Sequence, residues 1–214
     1  MEKKFMTQTE RMKLGLVYFA DDPAIMQVQA KLLENLYDYN HTRPRQAKKR
    51  AKLLNKMFGS IGENAYIEPP FHSNWAGKNC YIGRNFYANF NLTLVDDEKI
   101  TIGDYCMFAP NVVIATAGHP INPKLRKNGG QYNAPVKIGN SVWIGAGAIV
   151  MPGVTIGDNV VIGAGSIVTK DIPSNVVAFG NPCKVYREVG ERDNIYYYKD
   201  KKIDWENIPD NIEW

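Results

Sequence analysis

Isoleucine or valine stands at positions 138, 144, 150, 156, 162 and 168, every sixth residue without a slip. Two positions before each of them is a small or β-branched residue, as in Val142-Trp143-Ile144, Val154-Thr155-Ile156 and Ser166-Ile167-Val168. Side chains along a strand alternate faces, so the two residues of each pair point the same way and the one between them points opposite. The three positions left in each unit are turn formers: Gly145-Ala146-Gly147, Met151-Pro152-Gly153, Gly157-Asp158-Asn159 and Gly163-Ala164-Gly165. A unit is therefore a three-residue strand followed by a corner. A period of six that sums to neither helix nor ordinary strand is the mark of a parallel β-helix whose inside is the Ile/Val column. Each coil buries little alone and needs its neighbours stacked upon it.

Outside this stretch the pattern changes. Over residues 1–60 the apolar positions follow helical spacing. Asp22-Pro23 has the form of an N-cap followed by proline at the first helical position, opening a helix to about Tyr39 with Ile25, Val28, Leu32, Leu36 and Tyr39 on one side. Thr42 and Pro44 start another, with Ala47, Ala51, Leu54 and Phe58 as its apolar side, and an earlier helix is expected from about Thr9 to Phe19. Such a helical unit can cap the first coil, which otherwise exposes apolar core and strand edges. The coil itself is expected over 61–187, beginning near Ile61 and irregular at first. Ile82, Ala88 and Leu94 are in phase, as are Ile102, Phe108 and Ile114. Residues 116–134, polar and rich in Pro and Gly, lack the strand pattern and read as a projecting loop, a class of segment that is usually functional or disordered. The regular coil ends after Pro173. The tail from 188 to 214, with Tyr196-Tyr197-Tyr198, Trp205 and Trp214, is expected to pack along a partner surface.

Composition adds bounds. The chain of 214 residues, 44% hydrophobic and 22% charged, suits one domain with a helical appendage. No run approaches the roughly 18 apolar residues of a membrane span. The opening Met1-Glu2-Lys3-Lys4 leads into no secretory apolar segment, and three scattered cysteines make no disulfide framework. A cytoplasmic protein is expected, without a membrane partner. The net charge of +4 is concentrated at Lys48, Lys49, Arg50, Lys52 and Lys56, which read as a solvated helix face. No aromatic platform accompanies them, which argues against nucleic acid.

The chain has three histidines. His41 sits between two helices and reads as a surface or capping residue, and His72 lies in a Pro/aromatic entry segment. His119, between Gly118 and Pro120 at the base of the projecting loop, is the candidate for chemistry. A histidine near its unperturbed pKa can take a proton from a hydroxyl at neutral pH. Asp96 and Asp97 lie one coil earlier and could bind hydroxyls or could be corner residues. Asn85, Asn89 and Asn91 divide the same way between turn structure and polar site.

Several longer stretches carry a resemblance. Residues Gly83-Arg84-Asn85-Phe86-Tyr87-Ala88-Asn89-Phe90-Asn91, Val95-Asp96-Asp97, Gly118-His119-Pro120, Leu125-Arg126-Lys127-Asn128-Gly129 and Gly180-Asn181-Pro182-Cys183-Lys184-Val185 together resemble the galactoside and maltose O-acetyltransferases. The similarity extends over nearly the whole chain, from the helical cap to Arg192-Asp193 and Tyr196-Tyr197-Tyr198-Lys199-Asp200. It implies a left-handed parallel β-helix, a homotrimer with sites between subunits, and transfer of an acetyl group from acetyl-CoA to a sugar hydroxyl, with no metal required. By the same resemblance His119 is the base that deprotonates the acceptor for direct attack on the thioester. Asp21 and Asp97 are acceptor-binding positions, and Asn89 stands at the acetyl-CoA end. Ala146, Ala164, Thr169, Lys170, Lys184 and Arg187 fall on CoA-contacting positions. Small residues at 146 and 164 suit a pantetheine arm lying along the coil, and the three cations suit phosphates.

The chain departs from that pattern after Pro70. Phe71-His72-Ser73-Asn74-Trp75-Ala76-Gly77 is one residue longer than the family form, so Ser73, Asn74 or Trp75 could fill the acceptor-side position. Asn74 is the candidate binder. Three other readings share the fold: an antibiotic or xenobiotic O-acetyltransferase, a non-catalytic scaffold, and a β-helical carbonic anhydrase. The last needs three histidines around zinc, and one of the three here belongs to the cap. The scaffold reading is weakened by the presence of both loop and histidine.

Overall fold

A computed structural model describes residues 5–209; the expectations that rest on Met1 to Lys4 and on Trp214 lie outside them. The chain winds into a three-sided prism of parallel strands. The first face stacks Ser60–Ile61, Cys80–Ile82, Ile100–Ile102, Val136–Ile138 and Thr155–Ile156. The second stacks Tyr66–Ile67, Tyr87–Ala88, Met107–Phe108, Trp143–Ile144, Val161–Ile162 and Val176–Phe179. The third stacks His72–Ser73, Thr93–Val95, Val113–Ala115, Ile149–Val150 and Ile167–Val168. Ile138 pairs with Ile156, Ile144 with Ile162 and Val150 with Val168, so three hexapeptides close one coil. All six members of the inner column are at most 3% exposed, and their partners two positions earlier, Val136 through Ser166, are equally buried. The interior is the Ile/Val column that the period of six requires.

Departures from eighteen residues per coil all fall at the corner between the third face and the first. Ile61 pairs with Ile82 and Ile82 with Ile102, whereas Ile102 pairs with Ile138 across the projecting loop. The corner between the first and second faces is kept uniform by a ladder of polar side chains. The Asp104 carboxylate accepts from the Arg84 N–H, Asn140 Oδ1 from the Asp104 N–H, Asp158 from the Asn140 N–H and Ser174 Oγ from the Asp158 N–H. Beside it Asn64, Asn85, Asn159 and Asn175 take left-handed φ, and their amides bond coil to coil. Asn91 and Asn111 repeat this at the next corner. Asn85 and Asn91 are thus turn residues. Asparagine suits the role because it tolerates positive φ and can both donate and accept along the stack.

The N-terminal cap has three helices: α1 (Gln8–Lys13), α2 (Pro23–Asn40) and α3 (Ala47–Met57). Helix α1 is shorter than the span to Phe19 that spacing suggests. A capping box between Thr7 and Glu10 starts it, Gly15 at φ 65 follows its end, and Tyr18–Phe19 is a strand. Helix α2 begins as expected, with the Asp22 carboxylate accepting from the Ala24 N–H. In α3 the buried side is Arg50, Leu54 and Met57, while Ala47 and Ala51 face solvent. Arg50 therefore leaves the expected solvated cluster. Its guanidinium donates to Thr42 Oγ1 at 2.8 Å and to the Tyr66 hydroxyl, satisfying a buried charge with oriented acceptors. Lys48, Lys49, Lys52 and Lys56 remain exposed. The cap closes the first coil through Leu36, Tyr39, Leu54, Met57 and Phe58, which join the main core. Tyr39 donates to the Ile67 carbonyl at 2.5 Å, and Asn40 exchanges two hydrogen bonds with the Phe71 backbone.

At the other end the coil continues past Pro173 into Val176–Phe179, which pairs with Val161–Ile162, and is then closed by the antiparallel strand Lys184–Glu188. Beyond it lie α5 (Glu191–Ile195; α4, Pro123–Lys127, belongs to the projecting loop) and a hairpin of Tyr196–Tyr198 with Lys201–Lys202. Arg187 holds α5 by a bidentate pair with Asp193, at 2.7 and 2.6 Å.

Replacing Ile156 by Ala removes a methylene-rich side chain where it cannot be refilled, and is expected to cost about 2–5 kcal/mol in denaturant unfolding. A loss below 1 kcal/mol would contradict the stacked-column account. Asp193 titrates at about 2, held down first by Arg187 and then by the Gly190 N–H. The stability it adds is present above its ordinary value of 3.8 and disappears as pH falls through 2. In Arg187→Gln a carboxyl-detected NMR titration should find the Asp193 midpoint moved up toward 3.8; no movement would rule out the pair as its cause.

Candidate functional site

The projecting loop leaves the corner between the third and first faces, and it is ordered rather than free of strands. Ala117–Gly118 pairs with Tyr132 and Asn133, and Gly130–Asn133 pairs on its other side with Tyr18–Phe19 of the cap. Between them runs α4 (Pro123–Lys127), capped by Asn122 with proline at its start. Sequence reading missed these strands because each is two to four residues long and has no buried alternating face; cross-strand pairing with Tyr18 and Phe19 makes them. At Gly118 the Tyr132 ring crosses the hairpin so closely that an added Cβ would lie 2.9 Å from it and the tyrosine would have to shift.

His119 is exposed at the end of this hairpin, and its Nδ1 lies 2.8 Å from the Gly130 carbonyl oxygen. A carbonyl only accepts, so Nδ1 carries the hydrogen and Nε2 of the neutral ring keeps its lone pair. The loop base is tied to the preceding coil. Thr116 Oγ1 donates to the Val95 carbonyl at 2.7 Å and accepts from the Glu98 N–H at 2.9 Å. Asn133 Nδ2 donates to the Asp97 carbonyl at 3.1 Å. Tyr18, Gln131 and Asn133 form a buried cluster beneath, where burial pushes the tyrosine hydroxyl up to about 12. No sequence signal marked this cluster, because its members are 113 and 115 residues apart.

Adjacent Asp96 and Asp97 do different things. Asp96 is wholly buried and clamps the 73–77 turn: it accepts from Ser73 Oγ at 2.6 Å and from the Trp75 and Gly77 N–H groups at 2.8 and 3.0 Å. Burial raises its pKa against the pull of those hydrogen bonds. Asp97 faces the other way, accepting from Asn74 Nδ2 at 2.7 Å and from Trp75 Nε1 at 3.2 Å. Of the three candidates at the divergent position, Ser73 is thus committed to the turn and Trp75 is buried with Tyr18 and Ile25. Asn74 stays half-exposed beside Asp97. A cavity of about 410 Å³ opens here, walled by Met12, Ile25 and Val28 of the cap and by Trp75, Lys78 and Asp97 of the coil. Asp21 is exposed in the turn after Phe19, which pairs with Gly130, the residue that holds His119.

The positions expected at CoA lie chiefly on a different edge. Between the second and third faces the corners stack as Asn89-Phe90-Asn91, Pro110-Asn111, Ala146-Gly147 and Ala164-Gly165, joined by the bonds of Asn111 to Phe90, Gly147 to Pro110 and Gly165 to Ala146. Gly180 continues the column under Ile167. Ala146 and Ala164 are exposed, and a methyl group added at Gly147 or Gly165 would meet nothing within 4 Å. Lys184 and Arg187 follow on the closing strand, both exposed, while Thr169 and Lys170 stand at the corner that the loop shares. Asn89 turns its side chain onto the Phe90 N–H at 2.8 Å. The structure therefore gathers His119, Asp97, Asn74 and Asp21 around one edge, and Asn89, Ala146 and Ala164 along another, with the third face between them.

The other two histidines are accounted for otherwise. His41 caps α2, with Nδ1 2.8 Å from the Tyr37 carbonyl and its ring stacked on Tyr37, and His72 is an exposed strand residue opposite Thr93. Among the described residues no group of three His, Cys, Asp or Glu side chains could hold a metal ion, and no helix is long and apolar enough to cross a membrane.

Residues 135–170 match the family model of the bacterial transferase hexapeptide (six repeats), and residues 11–62 match the maltose acetyltransferase hexapeptide capping motif. The galactoside O-acetyltransferase of Escherichia coli (strain K12) is 51% identical over 93% of this chain and 98% of its own length. A solved galactoside acetyltransferase in complex with coenzyme A superposes with a TM-score of 0.89 at 50% identity, covering 93% of this chain and 99% of that one. A maltose O-acetyltransferase from Clostridium difficile 630 gives 0.84 at 46% identity, over 88% of this chain and all of the other. The chain belongs to the galactoside and maltose O-acetyltransferase family of hexapeptide-repeat acyltransferases.

Proposed function

We propose that this protein moves the acetyl group of acetyl-CoA to a hydroxyl of a sugar, a galactoside, glucoside or maltose-like acceptor, by direct attack with His119 as general base. The observation that carries the reading is the Nδ1 contact of His119 with the Gly130 carbonyl, which fixes the ring and its tautomer and leaves Nε2 as a proton acceptor. Asp97 and Asn74, bonded to each other at the same corner, offer a carboxylate and an amide to acceptor hydroxyls, and Asp21 approaches from the cap. The fit to CoA rests on the open column of small corners at Ala146 and Ala164, with Asn89 at one end and Lys184 and Arg187 as phosphate partners on the closing strand beyond the other; Lys170, at the loop-side corner, is a third cation for phosphate. Acetyl-CoA supplies the acyl group as an activated thioester. The acceptor oxygen bonds to the thioester carbonyl carbon as its proton passes to Nε2; the carbon–sulfur bond breaks, and the imidazolium returns the proton to sulfur.

The same reading makes the protein a homotrimer with sites between subunits. Its support is the separation of acceptor-side and cofactor-side residues onto two edges of one chain. A second copy laid against the third face brings one chain's His119 edge to the other's Ala146 edge. Three free, buried cysteines fit a reducing compartment, and the cytoplasm is the proposed location.

Free CoA release, followed across a panel of sugars and antibiotics, tests the chemistry. Turnover is expected with a sugar and should fall at least about 100-fold in His119→Ala, the low end of a general-base contribution. An unchanged rate in that variant would sink the mechanism, and turnover confined to antibiotics would replace the acceptor class. For the assembly, sedimentation should give three times the 24.1 kDa chain mass. Co-expressed His119→Ala and Ala164→Trp chains should recover activity that neither shows alone; a monomer, or no recovery, would refute the shared site.

A further inference from the structure

Lys184 and Arg187 lie on one strand an odd number of residues apart, so regular alternation would send them to opposite faces. A bulge removes the conflict. Lys184 lies opposite Phe179 and Arg187 opposite Val177, with the register shifting between Val177 and Ala178 so that Tyr186 is the extra residue. Val177 and Phe179 share one face of their own strand, and directly opposed residues share a face across a pair. Both cations therefore leave the same side of the sheet, as expected where a bulge re-aims a side chain.

The guanidinium of Arg187 is also oriented. Its Nη1 donates to the Glu188 carbonyl at 2.8 Å and to Asp193 Oδ2 at 2.7 Å, and its Nη2 donates to Asp193 Oδ1 at 2.6 Å. A guanidinium has five N–H donors. The two not used here, Nε–H and the second Nη2–H, lie along one side of the plane as a second fork of the kind that takes a phosphate bidentately. Among the described residues neither has a protein acceptor, and the side chain is 41% exposed. Asp193 is itself held, because its Oδ2 accepts from the Gly190 N–H at 2.9 Å.

We propose that Asp193 is a positioning residue for acetyl-CoA: it grips the Nη1/Nη2 end of Arg187 so that the Nε/Nη2 edge is presented, already aligned, to a phosphate of the nucleotide end. This rests on the assignment of Arg187 to CoA in the proposed function. A long surface side chain otherwise gives up rotamer freedom when it binds, and an internal carboxylate removes that cost beforehand. The opposite relation, Asp193 as an internal competitor that phosphate must displace, would require the carboxylate to cover both forks. It covers one.

Steady-state kinetics with acetyl-CoA and with S-acetylpantetheine, which lacks the nucleotide, distinguish these relations at saturating acceptor. Asp193→Asn should raise KM for acetyl-CoA about three- to fivefold, the scale of an exposed ion pair. The kcat should stay unchanged, and Asp193→Glu should recover part of the loss. With S-acetylpantetheine the Asn variant should match the wild type. In an Arg187→Gln background Asp193→Asn should add nothing. A lowered KM would make Asp193 a competitor, and an equal rise with both thioesters would make its role purely structural; either overturns the proposal. If Arg187→Gln raises KM for acetyl-CoA but Asp193→Asn does not, only the positioning fails. If Arg187→Gln leaves that KM unchanged, the assignment of Arg187 to CoA fails with it.

Discussion

Parallel stacking of short strands is the constraint on which everything else in this molecule depends. Each two- or three-residue strand finds its backbone partners only in the coils above and below, so a coil out of register would strand polar backbone groups against an apolar interior. The inner column from Ile61 through Val168 sets the register, and the Asp104, Asn140, Asp158 and Ser174 ladder repeats it in polar form outside. Both ends must be closed for the same reason, and they are closed differently. The N-terminal end is covered by Tyr39, Leu54 and Met57 of the cap, and the C-terminal end by an antiparallel strand that ends the stack.

Much of this was legible because a period of six leaves few alternatives. The strands from Val136 to Val168, the in-phase earlier coils, the N-cap at Asp22 and the base of the loop at His119 could all be read from residue type and spacing. What could not be read depends on contacts between segments distant in sequence. Tyr18–Phe19 resembles a helix end until Gly130 and Gln131 pair with it. Arg50 resembles one more surface cation until Thr42 and Tyr66 face it. Asp96 and Asp97 look alike in sequence, yet one folds the 73–77 turn and the other faces the cavity. The bulge at Tyr186, which decides where Arg187 points, has no residue signature at all.

The candidate site shows the same division of labour. Its rigid part is the wall of small corners at Ala146 and Ala164, fixed by register. Its other part is the hairpin bearing His119, which pairs with Tyr18–Phe19 of the cap and is tied to the coil by side-chain bonds from Thr116 and Asn133. The corners at Ala146 and Ala164 lie within residues 135–170, the stretch that matches the hexapeptide family model. In the 71–77 segment Asn74 and Trp75 are both bonded to Asp97, so this stretch is held by side chains as well as by the repeat.

All the extra length within the coil leaves the prism at a single edge, between the third face and the first. The other two edges admit no such variation, since their corners bond to one another coil by coil. The fold thus has one seam open to growth and two that are closed to it. Residues inserted at 74–79, 96–99 or 116–134 return the chain to the same starting point for the next strand, as the pairing of Ile102 with Ile138 demonstrates across the largest of them. Loops can therefore be lengthened, shortened or exchanged at that seam while the interior never registers the change.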